Sequence, residues 1–249
     1  MVFSVNTNLS KVEMILEMRH ISKSFNGLKV LEDVSFSLQL GTITSLFGEN
    51  GSGKTTLFHI ISGFIKANSG EVLFKGVDMN GNSSVEIARL GVGRVWQTPR
   101  ICKNLTVLDN LVLASKSHPG ESAINYFIRP RLIWLVEISR KARAASISED
   151  IGLAGKLQKT AGSLSFGQQK LLSTGMLLMN DCELLLMDEP FAGVNSLMVD
   201  HISEVMLGLK KQGKTICMIE HNRTKAKVIS NNTLTLVKGI IEQTEKINA

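Results

Sequence analysis

The sequence predicts an α/β fold: a core of buried strands and helices, preceded by a β-rich segment and interrupted by a helical insert. Three observations predict it. Residues 42–64 run from an apolar strand through a glycine-crowded loop into a helix. Residues 184–189 form a second apolar strand that ends in two acids. Between them, residues 104–160 change to helical patterns with few strand-like runs. A length of 249 residues suits one large domain, or one domain with an inserted subdomain. Hydrophobic residues at 43% and charged residues at 20% exclude a disordered chain.

The elements follow in chain order. Residues 1–12 form an N-terminal extension, of which 1–11 are polar and expected to fray. From Met14 to Leu40 the pattern is β-rich, MILEMRHIS and then KVLEDVSFSL with Val34, Phe36 and Leu38 alternating. Gly41 punctuates before the strand Thr42 to Phe47. TLFHIISGF has helical spacing at Leu57, Ile60, Ile61 and Phe64, which predicts a helix reaching Phe64. EVLF at 71–74 is a short strand after the turn ANSG. In NLTVLDNLVLA, Thr106 is a cap, with Val107, Leu108, Leu111 and Val112 on one face. The stretch 121–151 reads as amphipathic and basic. Strand character returns at LLLM (184–187) and TICMI (215–219), and a hairpin is expected across Lys238–Gly239. No internal repeat or low-complexity tract is visible.

GENGSGKTT, residues 48–56, fits the template G-x-x-x-x-G-K-[ST] at Gly48, Gly53, Lys54 and Thr55. Its place between a strand and a helix is the context the template requires. The candidate contacts are Gly48, Glu49, Asn50, Gly51, Ser52, Gly53, Lys54, Thr55 and Thr56. Glycines let such a loop curl so that backbone N–H groups point inward at a phosphate, and the helix N-terminus adds partial positive charge there. Lys54 would reach the β- and γ-phosphates, and the Thr55 hydroxyl would ligate Mg2+. This P-loop alone does not separate kinases, GTPases, helicases and transport motors. In LLLMDEP, Asp188 and Glu189 emerge where ligands bind an open α/β sheet. Asp188 would hold the Mg2+ water shell, and Glu189 would polarise a water attacking the γ-phosphate. In LSFGQQK, Ser165 and Gly167 open a helix containing Leu171, Leu172, Met176 and Met179. By itself this reads equally as an ordinary capped helix or as a second phosphate-facing N-terminus.

In this order the motifs resemble those of the ATPase subunits of ATP-binding-cassette (ABC) transporters, over roughly residues 13–240. GENGSGKTT is similar to the Walker A loop, LLLMDEP to Walker B with its catalytic glutamate, and LSFGQ to the family signature, usually LSGGQ. The resemblance implies a P-loop NTPase (RecA-like) core with an antiparallel β subdomain and an inserted α-helical subdomain. Residues 13–97 and 163–249 would form the core within a single domain 13–249, and 98–162 the helical insert. It implies ATP and Mg2+ as ligands, with Thr55, Gln97 and Asp188 at the metal and Glu189, His221, Gln97 and Lys54 catalytic. Gln97 falls at the family's Q-loop, His221 at its switch histidine, and Phe25 where an aromatic faces adenine. Taken alone, Gln97 reads as a surface glutamine, His221 as a strand-end surface histidine and Phe25 as a core phenylalanine.

The resemblance further implies head-to-tail dimers, with ATP held between the Walker loop of one copy and Ser165, Gly167 and Gln168 of the other. Separate membrane-spanning permease subunits would dock near Thr98 to Leu105, beside a substrate-binding protein. That places the chain at the cytoplasmic face of the membrane. LSFGQQ, and FAGVN after the DEP, are most similar to the branched-chain amino acid uptake group with its urea and amide relatives. Two departures stand out: Phe166 replaces the first signature glycine, and Asn195 replaces the usual aspartate after Walker B. Both occur within this subgroup, so hydrolysis is still expected.

A competing reading is a soluble ABC ATPase acting on nucleic acid or ribosomes. The net charge of +6 leaves an anionic partner and an ordinary surface equally open, and the basic stretch Arg129–Arg143 is its support. The chain carries neither a long coiled-coil insertion nor two cassettes, so no nucleic-acid partner is expected. Cys102, Cys182 and Cys217 are scattered, lack metal-ligand spacing and read as reduced, mostly buried thiols. No apolar run approaches the roughly 18–20 residues of a membrane span, and the N-terminus is a poor secretory signal. The end soon after the final hairpin predicts no regulatory C-terminal domain.

Overall fold

The computed structural model describes residues 13–116 and 130–246. The N-terminal extension and the first part of the 121–151 stretch lie outside them. β1 (Met14–Phe25) and β2 (Leu28–Gln39) form a long hairpin. Its turn residues Asn26 and Gly27 have φ of +47° and +84°, the double positive φ whose twist matches a tight hairpin. β4 (Ser69–Phe74) and β5 (Val77–Asp78) complete a four-stranded antiparallel sheet in the order β2-β1-β4-β5.

The second sheet holds β3 (Ile43–Phe47), β6 (Val92–Val95), β7 (Leu184–Asp188), β8 (Thr215–Ile219), β9 (Asn232–Val237) and β10 (Ile240–Lys246). Their order is β10-β9-β3-β8-β7-β6, parallel throughout except for the closing β9–β10 hairpin. That hairpin turns at Lys238–Gly239, as expected, with both φ positive. Leu185 and Met187 of β7 enter one core cluster, and Leu184 and Leu186 the other. Burial on both faces explains why LLLM is apolar without alternation. Each such side chain contributes roughly 1.5–3 kcal/mol by leaving water.

The helices are α1 (Lys54–Ile61), α2 (Ser84–Leu90), α3 (Val107–Leu113), α4 (Pro130–Asp150), α5 (Phe166–Met179), α6 (Ser196–Lys211) and α7 (Arg223–Ile229). The Thr106 cap is present: its hydroxyl accepts from Asp109 N–H at 3.0 Å, and Asp109 returns the bond. α3, α4 and α5 pack on one another.

Two sequence expectations need correction. α1 stops at Ile61 and does not reach Phe64, because Gly63 turns the chain with φ +71°. Phe64 instead lies outside the helix, its ring edge-on to Trp96 at 5.0 Å. The described part of the 121–151 stretch, α4, is not cleanly amphipathic. Ile133, Ala144 and Ile147 are buried, but Leu132, Trp134, Leu135 and Ile138 are exposed. Neighbouring α3 and α5 cover only the inward face, so apolar residues of the N-terminal half remain outside.

Candidate active site

The parallel order decides which residues meet. β3, β8, β7 and β6 lie side by side, so their C-terminal ends share one edge. Gly48 follows β3, Asp188 ends β7, Glu220 and His221 follow β8, and Trp96 and Gln97 follow β6. Crevices at such an edge hold ligands in open α/β sheets.

The loop 48–53 has the glycine requirement its motif suggests. Gly53 caps α1 with φ +108°, and a Cβ there would lie 2.8 Å from Leu31 Cδ2. A Cβ at Gly48 would lie 2.4 Å from the Leu236 carbonyl oxygen. The Lys54 ammonium is buried and donates to the carbonyls of Gly48 and Glu49, both at 2.8 Å. Burial lowers its pKa, against the opposing pull of Glu189 and Asp188. Asn50, Gly51, Gly53, Lys54, Thr55, Thr56, Glu189 and His221 line a cleft of about 250 Å³. Glu49 and Ser52 lie in the adjoining hollow beside Arg223.

Glu189 is the hub. Its Oε2 accepts from Gln97 Nε2 at 2.6 Å, and its Oε1 lies 3.1 Å from His221 Nε2. Asp188 Oδ2 accepts from Arg94 Nη2 at 2.7 Å. Arg94 also lies over the Trp96 ring at 4.0 Å, with Arg100 at 3.9 Å from the same ring. Among the described residues, no group of three or more His, Cys, Asp or Glu is arranged to hold a metal by itself. A hydroxyl, an amide and one carboxylate beside a phosphate cradle instead suit a hard cation that keeps waters and phosphate oxygens as ligands.

The signature residues stand apart from this cleft. Ser165 caps α5 in a reciprocal pair with Gln168, the N–H to hydroxyl bond being 3.4 Å. A Cβ on Gly167 would meet Met198 at 2.4 Å, so the glycine is needed where α5 approaches α6. Neither they nor Phe25 line the cleft. Phe25 is exposed at the hairpin end, 5.0 Å below the Lys23 ammonium, while Val30 of the same hairpin reaches the cleft. Phe166 packs its ring beside Gly193. Asn195 caps α6 by accepting from Met198 N–H at 2.9 Å, a task asparagine and aspartate do about equally well.

Sequence reasoning missed Arg94, Lys170 and Glu220, all buried. The signal was present: a charge inside VGRV, a lysine within an apolar helical run, and an acid directly after TICMI. Burial lowers the pKa of Lys170 and raises that of Glu220.

Residues 31–192 match a family model described as ABC transporter. A probable branched-chain amino acid transport ATP-binding protein, LivG of Archaeoglobus fulgidus, is 40% identical over 208 residues, covering 83% of this chain and 79% of that one. A ribose import ATP-binding protein, RbsA of Shouchella clausii, is 34% identical over 84% of this chain, which spans 40% of that relative. A nucleotide-free ATP-binding cassette from an ABC transporter superposes with a TM-score of 0.81 at 33% identity, covering 94% and 92% of the two chains.

Proposed function

The chain belongs to the ABC transporter ATP-binding family and is an ATPase, and from that premise we propose that it is the motor subunit of an importer for branched-chain amino acids or a related small amide such as urea. The likeness to LivG supports the amino acid class, and the motifs LSFGQQ and FAGVN support the same group. The observation that carries the catalytic reading is the convergence of Lys54, Asp188, Glu189, Gln97 and His221 at one sheet edge.

In this reading the backbone N–H groups of residues 48–56 hold the ATP phosphates and Lys54 neutralises them. Thr55, Gln97 and Asp188 hold Mg2+, which when bound screens the phosphate charge. Glu189 orients the attacking water and accepts its proton. Gln97 and His221, each in contact with that carboxylate, fix its direction. Phe25 offers its exposed face to adenine. Ser165, Gly167 and Gln168 act on the ATP of a second subunit, which fits their position away from the chain's own cleft. Residues 98–162 are the insert between core segments 13–97 and 163–249, and Thr98 to Leu105 dock the permease. Two permease subunits and a substrate-binding protein complete the assembly, with the chain peripheral at the cytoplasmic face. No described helix is long and apolar enough to cross a membrane.

Glu189→Gln is expected to keep ATP binding, lose nearly all hydrolysis and accumulate an ATP-bound dimer on size exclusion. Normal turnover in that variant would remove Glu189 from its role. Co-purification of two polytopic membrane proteins tests the importer assignment.

A further inference from the structure

The turn that carries Glu189 is held in an unfavourable shape. Glu189 has φ +50°, a left-handed conformation that costs a non-glycine residue roughly 1–3 kcal/mol. Pro190 follows, and a residue preceding proline is pushed toward extended conformations instead. Something in the surrounding structure must over-determine this backbone.

Two buried charges grip the turn. Lys170 of α5 donates to the carbonyls of Glu189 at 2.6 Å, Pro190 at 3.3 Å and Ala192 at 2.8 Å. An ammonium has three protons to give, so its capacity is used. Glu220, directly after β8, accepts from the Phe191 N–H at 2.8 Å and the His221 N–H at 3.2 Å. The Glu189 N–H itself donates to the Ile219 carbonyl at 3.0 Å. The carbonyls of the turn thus face a cation and the Phe191 N–H faces an anion, while the Glu189 carboxylate projects to Gln97 and His221.

We infer that Lys170 and Glu220 are positioning residues, a buried clamp of opposite charges that fixes the left-handed turn and thereby aims the Glu189 carboxylate. The clamp also joins three parts of the site. Lys170 lies on the helix capped by Ser165, Glu220 is the neighbour of His221, and both grip the segment starting at Glu189. The inference rests on Glu189 as the proton-accepting group.

Lys170 and Glu220 feel each other's charge but bond to the backbone of the turn rather than to each other. Removing either leaves buried carbonyls or N–H groups without a partner. Lys170→Met alone is expected to lower the thermal midpoint, and Lys170→Met with Glu220→Leu to lower it by less than the sum of the two single changes, since no lone charge is left buried; the assays are run below that midpoint. If the clamp positions Glu189, the folded double variant hydrolyses ATP about 10–100-fold more slowly at saturating substrate. Its affinity for Mg-ATP, by calorimetry, stays within about threefold of the parent, because the phosphate loop is intact. Adding Glu189→Gln to it produces no further loss beyond Glu189→Gln alone. Should the double variant prove insoluble, Glu220→Gln, whose single carbonyl oxygen replaces the two acceptors that serve Phe191 and His221, is expected to show a smaller loss in kcat of the same kind, without loss in affinity. Wild-type kcat in the folded double variant or in Glu220→Gln, or additivity with Glu189→Gln, overturns the inference. If Glu189→Gln is inactive while the apolar pair turns over normally, only the clamp fails. If Glu189→Gln itself turns over normally, the reading of Glu189 fails first.

Discussion

Replacing Arg94 by methionine tests how the buried charges of the site balance. The side chains of Arg94 and Asp188 are 3% and 12% exposed and pair at 2.7 Å. Breaking a buried pair from one side costs about 3–5 kcal/mol, because a charge is left uncompensated. Losing the guanidinium from the Trp96 face adds about 1 kcal/mol. Two terms oppose this. Arg94 Nε and Nη1 are buried without a hydrogen-bond partner, and removing two such donors returns about 2 kcal/mol. Lys54 is close enough to feel Asp188 and blunts the loss further. The net is about 2 kcal/mol of destabilisation, which for a chain of this size lowers the apparent Tm by about 4–8 °C. Differential scanning calorimetry without nucleotide measures it. Asp188→Asn in the same background should recover most of the drop, since the stranded charge is then gone. An unchanged or raised Tm for Arg94→Met would show that the orphaned N–H groups outweigh the ion pair, and would refute the reasoning.

Asp181 makes a pH prediction. The Arg143 guanidinium hydrogen-bonds its carboxylate and holds it below the ordinary value of 3.8. A depressed carboxylate stabilises the fold above its unfolded pKa, and the contribution is lost as pH falls through the folded value. Both side chains are about half exposed, so the effect is under about 1 kcal/mol. Asparagine tolerates the φ of +58° at this position, so Asp181→Asn isolates the charge. The Tm gap between parent and variant should be constant above about pH 5 and close toward about pH 3; a gap that widens in acid would contradict the assignment. Thiol labelling of the native chain should modify Cys102 first, because it is exposed. Burial raises Cys182 to about 11 and Cys217 to about 12. Mass spectrometry showing early modification of either would mean that the core opens more readily than its packing implies.

What was legible in the sequence was whatever depends on local order. Strand, loop and helix around Lys54 follow from adjacent residue types, and so do the Thr106 cap and the closing hairpin. The meeting of Gln97, Glu189 and His221 was legible only through the resemblance, since nothing in RVWQ or MIEHN says which strands become neighbours. Lys170 escaped notice because its partners are backbone carbonyls about twenty residues away, and carbonyls leave no mark in a sequence. Arg94 escaped because an arginine in a four-residue strand reads as a solvent-facing edge until Asp188 is known to sit beside it. The early end of α1 was hidden for a different reason. Phe64 keeps the helical spacing, and only the positive φ of Gly63 breaks it.

The place of β6 in the sheet sets which part of the machinery can travel. β3, β7 and β8 are each laced to a neighbour on both sides, so Lys54, Glu189 and His221 sit on a rigid floor. Among the described residues β6 is the outermost strand of this sheet, with β7 as its one ladder partner. Gln97 at its end is therefore the member of the group that can swing away without unzipping a second ladder, carrying the following loop with it. A displacement of the segment after β6 would therefore reach the Glu189 carboxylate first through the Gln97 amide.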